Sequence, residues 1–173
     1  MANFTQPELR QLLRSVGMTK ARARIGAAIA LCESPAYTDP PSSDSDAVGD
    51  QALANDTWGY SYGLWQVRSL RVHKGTGEYR DEDRLLDPEF NAVSARIIYN
   101  YAGWKAWSTY TSGAYKAYLE PPPEGYYYVI AGDSPSEIAA KFNYAFTWEE
   151  LMRVNGIHAP YTIYAGQLLL LPS

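Results

Sequence analysis

The sequence predicts an α+β chain of two modules: a mainly helical first module with a small β-hairpin region, residues 1–120, and a βααβ module, residues 126–173. Three observations carry this. Apolar residues recur at helical spacing in three early segments. An aromatic, glycine-punctuated stretch separates the second of these from the third. Finally, Pro121-Pro122-Pro123-Glu124-Gly125 cannot continue a helix or a central strand, so residues 121–125 read as a linker. A chain of 173 residues has room for one domain of about 120 residues and a module of about 50.

The first helix opens at Thr5, which with Glu8 forms a capping-box pattern, and puts Leu9, Leu12, Leu13 and Val16 on one face before Gly17. The second follows Thr19 and turns Ile25, Ala28, Ile29 and Cys32 inward. Tyr37 through Asp50 mixes Pro, Ser, Asp and Gly without periodicity and reads as a loop. Gly59 to Val67 predicts short strands or an irregular hairpin. The third helix takes Asp87 as cap and Pro88 as first residue, with Phe90, Val93, Ile97, Ile98 and Tyr101 expected inside before Gly103. In the second module, Tyr126 to Ile130 reads as a strand and Leu168 to Leu171 as its returning partner. Ser134-Pro135-Ser136-Glu137 and Thr147-Trp148-Glu149-Glu150 each open a helix between them.

Composition narrows the function. No apolar run approaches the roughly 20 residues that span a bilayer, so no membrane span is expected and the chain reads as soluble. A net charge of −4 without Lys/Arg clusters argues against nucleic acid as a partner. Cys32 is the single cysteine, which rules out an intrachain disulfide and a Cys-rich zinc site. His73 and His158 fall in different modules, leaving no Ser-His-Asp set and no zinc-peptidase spacing. No metal or cofactor is expected, and nothing in the sequence calls for assembly beyond a monomer. MANFTQPELR has neither a basic start nor an apolar stretch, so no secretory signal is visible. Fifteen Tyr and five Trp are many for this length. Rings with polar edges suit carbohydrate recognition, although they also fill cores.

Glu33 is the residue with the clearest chemistry. It lies four beyond Ile29 and eight beyond Ile25, so its carboxyl continues the apolar stripe of the second helix. Desolvation and the negative end of the helix dipole both disfavour its ionised form. A carboxyl still protonated near neutral pH is what cleavage of a glycosidic bond needs from a general acid. A Glu at a helix end can equally turn to solvent, and the helical argument alone leaves both readings open.

Ile25 to Glu33-Ser34, Gly63-Leu64-Trp65-Gln66 and Tyr110-Thr111-Ser112-Gly113 together resemble the soluble lytic transglycosylase and goose-type lysozyme superfamily. Trp58 to Ser69 is most similar to the version found in actinobacterial phage lysins. The resemblance implies a peptidoglycan-cleaving enzyme in which Glu33 is acid and then base. It further implies that Ser34 steadies that carboxyl or a substrate amide, that Gln66 lines the glycan groove with Tyr62 nearby, and that Tyr110 approaches the carboxyl or the adjoining sugar. Three positions depart from the pattern: Trp65 stands for Met, Thr111 for Asn, and Arg68 where goose-type enzymes place an Asp.

Two chemistries follow from the resemblance. In a lytic transglycosylase the substrate's own N-acetyl group assists, and its 6-hydroxyl closes an anhydro ring with Glu33 as base. In a hydrolytic muramidase a second carboxylate positions water, typically ~6.5–9.5 Å from the acid. Asp46, Asp50 and Asp56 are candidates in the loop, Asp50 preferred, though such residues also form turns. The transglycosylase is the leading expectation. An alternative from another class is a non-catalytic wall-binding tail protein. Taken with the phage-like motif, the missing signal implies a protein made in a host cytoplasm that acts on the wall after release, or one carried on a virion.

Residues 126–172 resemble a lysin-motif (LysM) domain through Tyr128-Val129-Ile130-Ala131-Gly132-Asp133-Ser134, Ile138-Ala139, Trp148 to Leu151, Asn155 and Ile163-Tyr164-Ala165-Gly166-Gln167. Such a module binds glycan chains containing N-acetylglucosamine and N-acetylmuramic acid. By that resemblance Asp133, Ser134, Pro135, Ile157 and His158 belong to the two binding loops. The same residues can equally shape turns, and His158 can be a plain surface residue.

Overall fold

The computed structural model describes residues 2–36, 38, 40–119, 122–130, 132–164 and 166–172. Tyr37, Pro121, Ala131 and Ala165, named above, lie outside the described residues. The chain forms two compact units, Met1–Thr111 and Ser112–Ser173, and its architecture is the predicted α+β. The division falls ahead of the proline run. Gly166 shows why: a Cβ there would meet the Ala114 backbone at 2.5 Å, so the short 3-10 turn Ala114–Tyr118 packs within the second unit.

The first unit opens with strand β1 (Asn3–Thr5) and helix α1 (Gln6–Ser15). The Glu8 carboxylate accepts from both the amide and the hydroxyl of Thr5, at 2.7 and 2.6 Å, fixing the helix start where the pattern placed it. α2 (Lys20–Glu33) is capped by Thr19, whose hydroxyl accepts from the Arg22 amide. Its second half is buried almost all round by small residues, Gly26, Ala27, Ala28 and Ala30. Gly26 is required there, because a Cβ would meet Leu13 and Trp104 side-chain atoms at 2.6 Å. Leu9 and Leu13 of α1 complete this contact.

The expected loop contains two short strands. β2 (Ser42–Asp44) pairs antiparallel with β1, with Phe4 opposite Ser43. β3 (Val48–Gly49) joins β4 (Trp58–Tyr62) and β5 (Val67–Leu70) in a three-stranded antiparallel sheet, which contains the expected hairpin. The turn between β4 and β5 is Gly63-Leu64-Trp65-Gln66, closed by a bond from the Gln66 amide to the Gly63 carbonyl at 3.0 Å.

α3 (Pro88–Ala102) starts on the Asp87 cap as predicted, the carboxylate accepting from the Phe90 amide at 2.7 Å. Its inward face differs from the expected one. Asn91, Ser94 and Ala95 are buried beside Phe90 and Ile98, whereas Val93 and Ile97 are half-buried and Tyr101 is 84% exposed. The reason is Asn91, which is 0% exposed and ties three backbone groups together. Its Nδ2 donates to the carbonyls of Tyr62 and Leu85, both at 2.9 Å, and its Oδ1 accepts from the Trp65 amide at 3.0 Å. The hairpin turn is thereby clamped to α3. A short α4 (Ser108–Thr111) ends the unit.

In the second unit, β6 (Tyr126–Tyr128) pairs antiparallel with β7 (Leu168–Leu170) around α5 (Pro135–Lys141) and α6 (Trp148–Val154). Both predicted capping boxes form, at Ser134/Glu137 and Thr147/Glu150. Val129, Ile138, Ala139, Phe146, Leu151, Met152 and Leu169 make the core. Asn155 laces α6 to β7, donating to the carbonyls of Leu151 and Leu170 and accepting from the Leu170 amide, each at 2.8 Å.

Candidate active site

α2, the β3–β5 sheet and the segment leading into α4 enclose a cavity of about 470 Å³ in the first unit. Glu33 lies on it, together with Asp50, Gln66, Arg68, Arg80 and Trp107. Glu33 is the last residue of α2 and is half-buried. The Thr109 hydroxyl donates to its Oε1 at 2.6 Å, and the Thr109 amide bonds to the same carboxyl. Burial raises the Glu33 carboxyl above its ordinary value; the Thr109 hydrogen bonds oppose this, and the negative charge of Asp50 adds to it. The side chain thus faces a cavity rather than open water, with a bias toward keeping its proton.

Asp50 occupies the left-handed region at φ 56°, a conformation Asp tolerates better than most residues, and caps the 3-10 turn Gln51–Leu53. Ser61 of β4 donates to its Oδ2 at 2.5 Å. It is therefore a turn former and a cavity residue at once. Asp46 and Asp56 do not line the cavity; Asp46 accepts from the Ser45 hydroxyl.

Gln66 lines the cavity as expected, its Nε2 held by the carbonyls of Ala47 and Gly63 at 3.1 and 3.0 Å. Three expected site residues are placed elsewhere. Ser34 is 2% exposed and its hydroxyl is engaged with the Leu64 carbonyl at 2.9 Å and with Ser43, so it locks the end of α2 to the hairpin turn and does not line the cavity. Tyr62 follows Ser61 along β4, and strand alternation turns it to the opposite face, beside Tyr60 and Glu82. Tyr110 is half-buried in α4 and does not line the cavity; the preceding residue, Thr109, meets the Glu33 carboxyl. A helix turns by about 100° per residue, so a one-residue displacement aims the side chain elsewhere.

Trp65, which stands where the resembled family has Met, is fully buried. Its Nε1 donates to the Gly26 carbonyl at 2.8 Å, and its own carbonyl accepts from Trp107 Nε1 at 2.7 Å. Burial, and then the charge of Glu33, pushes the Cys32 thiol up to about 12, away from the reactive thiolate form. Among the described residues no group of three or more His, Cys, Asp or Glu is placed to hold a metal ion, and no helix is long and apolar enough to cross a membrane.

Sequence reasoning missed Thr109, Arg80 and Asn91. Thr109 had one usable signal, a hydroxyl residue at the start of a short helix directly before the Tyr110-Thr111-Ser112-Gly113 motif. Arg80 is presented by a loop in which the buried Asp81 carboxylate accepts from the amides of Gly75, Gly77 and Asp83, and no local pattern announces that arrangement.

In the second unit the expected sugar contacts have internal roles. The Asp133 side chain is 3% exposed and accepts from the Tyr127 hydroxyl at 2.8 Å, the Ile130 amide at 2.9 Å and Lys141 Nζ at 2.5 Å, which makes it a fold staple. Ser134 is the cap and Pro135 the first residue of α5. Ile157 packs on the core, and His158 is exposed, its carbonyl accepting from the Tyr161 amide.

Comparison with protein families agrees with the two-unit layout. The profile of the family described as a lysozyme-like domain matches residues 10–109, and that of the LysM domain matches residues 127–172. No curated protein matches the chain. With more than half its length matched by the first profile, this chain belongs to the lysozyme-like domain family and carries a LysM domain behind it.

Proposed function

We propose that the protein is a peptidoglycan-cleaving glycosidase acting on the β-1,4 bond between N-acetylmuramic acid and N-acetylglucosamine, with Glu33 as general acid and then base. The observation that carries this reading is the Glu33 carboxyl, half-buried at the end of α2, facing a cavity and shifted toward its protonated form. As the bond breaks, Glu33 gives its proton to the leaving oxygen and becomes a carboxylate, which the two Thr109 hydrogen bonds stabilise. That carboxylate then takes the proton of the attacking hydroxyl. In the transglycosylase form, which we favour, the attacker is the 6-hydroxyl of the same sugar and an anhydro end results; a single carboxylate suffices. Arg68, standing where goose-type enzymes have an Asp, supports this form.

One observation favours the hydrolytic form: Asp50 lines the same cavity as Glu33 and is oriented by Ser61. There it would hold water on the far side of the sugar. Product analysis separates the two. Anhydromuramic ends that persist in Asp50→Asn fit the transglycosylase; only reducing muramic ends, abolished by Asp50→Asn, fit the muramidase.

The LysM domain supports wall anchoring, since tethering even a weak binder raises the local concentration of cleavable bonds. Similarity of Trp58 to Ser69 to phage lysins supports a phage endolysin or tail-associated lysin, which a neighbouring holin or tail gene would test. Clearing of purified walls by the wild type and its loss in Glu33→Gln tests the enzyme against a purely wall-binding protein.

A further inference from the structure

The cavity carries two positive charges that cleavage of a neutral sugar chain does not require. Arg68 sits on β5 directly opposite Ser61, the residue that orients Asp50, and both line the cavity. Its Nε donates to the Gly59 carbonyl at 3.4 Å and its Nη2 to the Leu53 carbonyl, with the guanidinium 5.7 Å from the Trp58 ring. Arg80 reaches the same place from its loop. Its Nη1 donates to the Arg68 carbonyl at 2.5 Å, and its guanidinium lies 5.1 Å from the Trp58 ring and 5.4 Å from that of Tyr79.

Both guanidiniums are thus held by backbone carbonyls and aromatic faces. Among the described residues the ion pairs are Lys74 with Glu82 and Asp83, and Lys141 with Asp133, and neither arginine takes part in one. Two like charges gathered on one indole repel each other, and among the cavity's lining residues only Asp50 and Glu33 are acidic. A guanidinium carries five N–H donors in a planar fork that matches a carboxylate. The hydrogen bonds above occupy only part of either fork.

We infer that Arg68 and Arg80 form a carboxylate subsite that selects acidic glycan over neutral glycan and sets which sugar sits beside the acid. This deepens the proposed function and rests on it. In a chain of alternating amino sugars only the muramic residue bears a carboxyl, on its lactyl ether, either free or extended by a stem peptide that carries carboxylates of its own. Binding that anion at the arginines puts the muramic residue, rather than N-acetylglucosamine, in a fixed place relative to Glu33.

The test uses the full-length protein and soluble glycan strands in three forms: peptide-bearing, stripped to the free lactyl carboxylate by an amidase, and stripped then coupled to methylamine so that the carboxylate becomes a neutral amide. Turnover and fragment binding are both measured for the wild type, Arg68→Gln, Arg80→Gln and the two Arg→Lys variants. The expected result is at least about a tenfold drop in wild-type kcat/KM on the neutralised strands, carried by KM, since the charge-assisted contact to the carboxylate is lost. Each Arg→Gln variant should lose most of that discrimination, and the Lys variants should recover part of it. Preference for the stripped form over both the peptide-bearing strands and the methylamide assigns the subsite to the free lactyl carboxylate, preference for the peptide-bearing strands over both stripped forms assigns it to the stem, and equal use of the two acidic forms shows that either carboxylate fills it. Equal wild-type rates on all three forms overturn the subsite, as does an Arg→Gln loss by the same factor on every form, which is the mark of a purely structural role. Should no form be cleaved while binding still prefers the acidic fragments in an arginine-dependent way, the subsite stands and the catalytic reading falls.

Discussion

Replacing Asn91 by leucine keeps the branched outline of the side chain, at a somewhat larger volume, and removes all three of its hydrogen bonds. The carbonyls of Tyr62 and Leu85 and the amide of Trp65 are then left without that partner around a site that is 0% exposed. Stranding a buried polar group costs about 1–3 kcal/mol, so three of them amount to about 3–6 kcal/mol after partial relaxation. That is a large share of the roughly 5–15 kcal/mol by which an ordinary domain is stable. The effect should also reach the cavity, because the clamped turn carries Gln66 and accepts the Ser34 hydroxyl through the Leu64 carbonyl. Urea unfolding followed by tryptophan fluorescence reads the loss directly, Trp65 lying in the clamped turn. A destabilisation under about 1 kcal/mol would refute the claim that Asn91 holds the hairpin to α3.

Opposite pH responses are expected from the two neighbours of Glu33. Thr109→Val removes a hydrogen bond that favours the charged carboxyl, so the proton is held to higher pH and the alkaline limb of activity moves up; Asp50→Asn removes a charge that raises the carboxyl, and the limb moves down. Shifts in the same direction, measured on soluble strands, would contradict this electrostatic assignment. Because the folded carboxyl titrates above its ordinary 4.5, the wild type loses stability as pH rises through that region, and Glu33→Gln should be the more thermostable at pH 7 with no advantage below pH 4.5. A lower Tm for Glu33→Gln at pH 7 would count against a buried, proton-favouring site. In the LysM domain, Asp133→Ala strands the Tyr127 hydroxyl and the Ile130 amide and should destabilise that unit by about 2–4 kcal/mol, seen as an earlier unfolding step in calorimetry. Ending the chain at Thr111 should leave cleavage of soluble strands while weakening clearing of intact walls, and equal wall binding by the shortened protein would speak against an anchor.

Local signals of known mechanism were legible in the sequence. The Thr5/Glu8, Ser134/Glu137 and Thr147/Glu150 pairs and the Asp87-Pro88 start each name a helix end through a hydrogen bond between near neighbours. Glu33 was legible because a carboxyl on an apolar stripe is anomalous within a single helix. What stayed hidden depends on contacts across the chain. Asn91 reads as a polar, outward residue until the hairpin turn arrives against it, and this is why the inward face of α3 was assigned to Val93, Ile97 and Tyr101. Arg80 reaches the cavity only through a loop organised by a buried aspartate. Trp65 stands out in the sequence only as a departure from Met, and nothing local shows that its indole N–H finds the Gly26 carbonyl beside α2. Asp133 looked like a ligand contact for want of any local sign that Tyr127 and Lys141 converge on it.

The most direct test compares the wild type with Glu33→Gln on purified cell walls in a turbidity assay, with folding of both checked by thermal unfolding. Loss of the acid should slow clearing by about 10²–10⁴-fold in a protein that still folds and still binds walls. Clearing by Glu33→Gln at the wild-type rate would show that residue 33 does not deliver the proton.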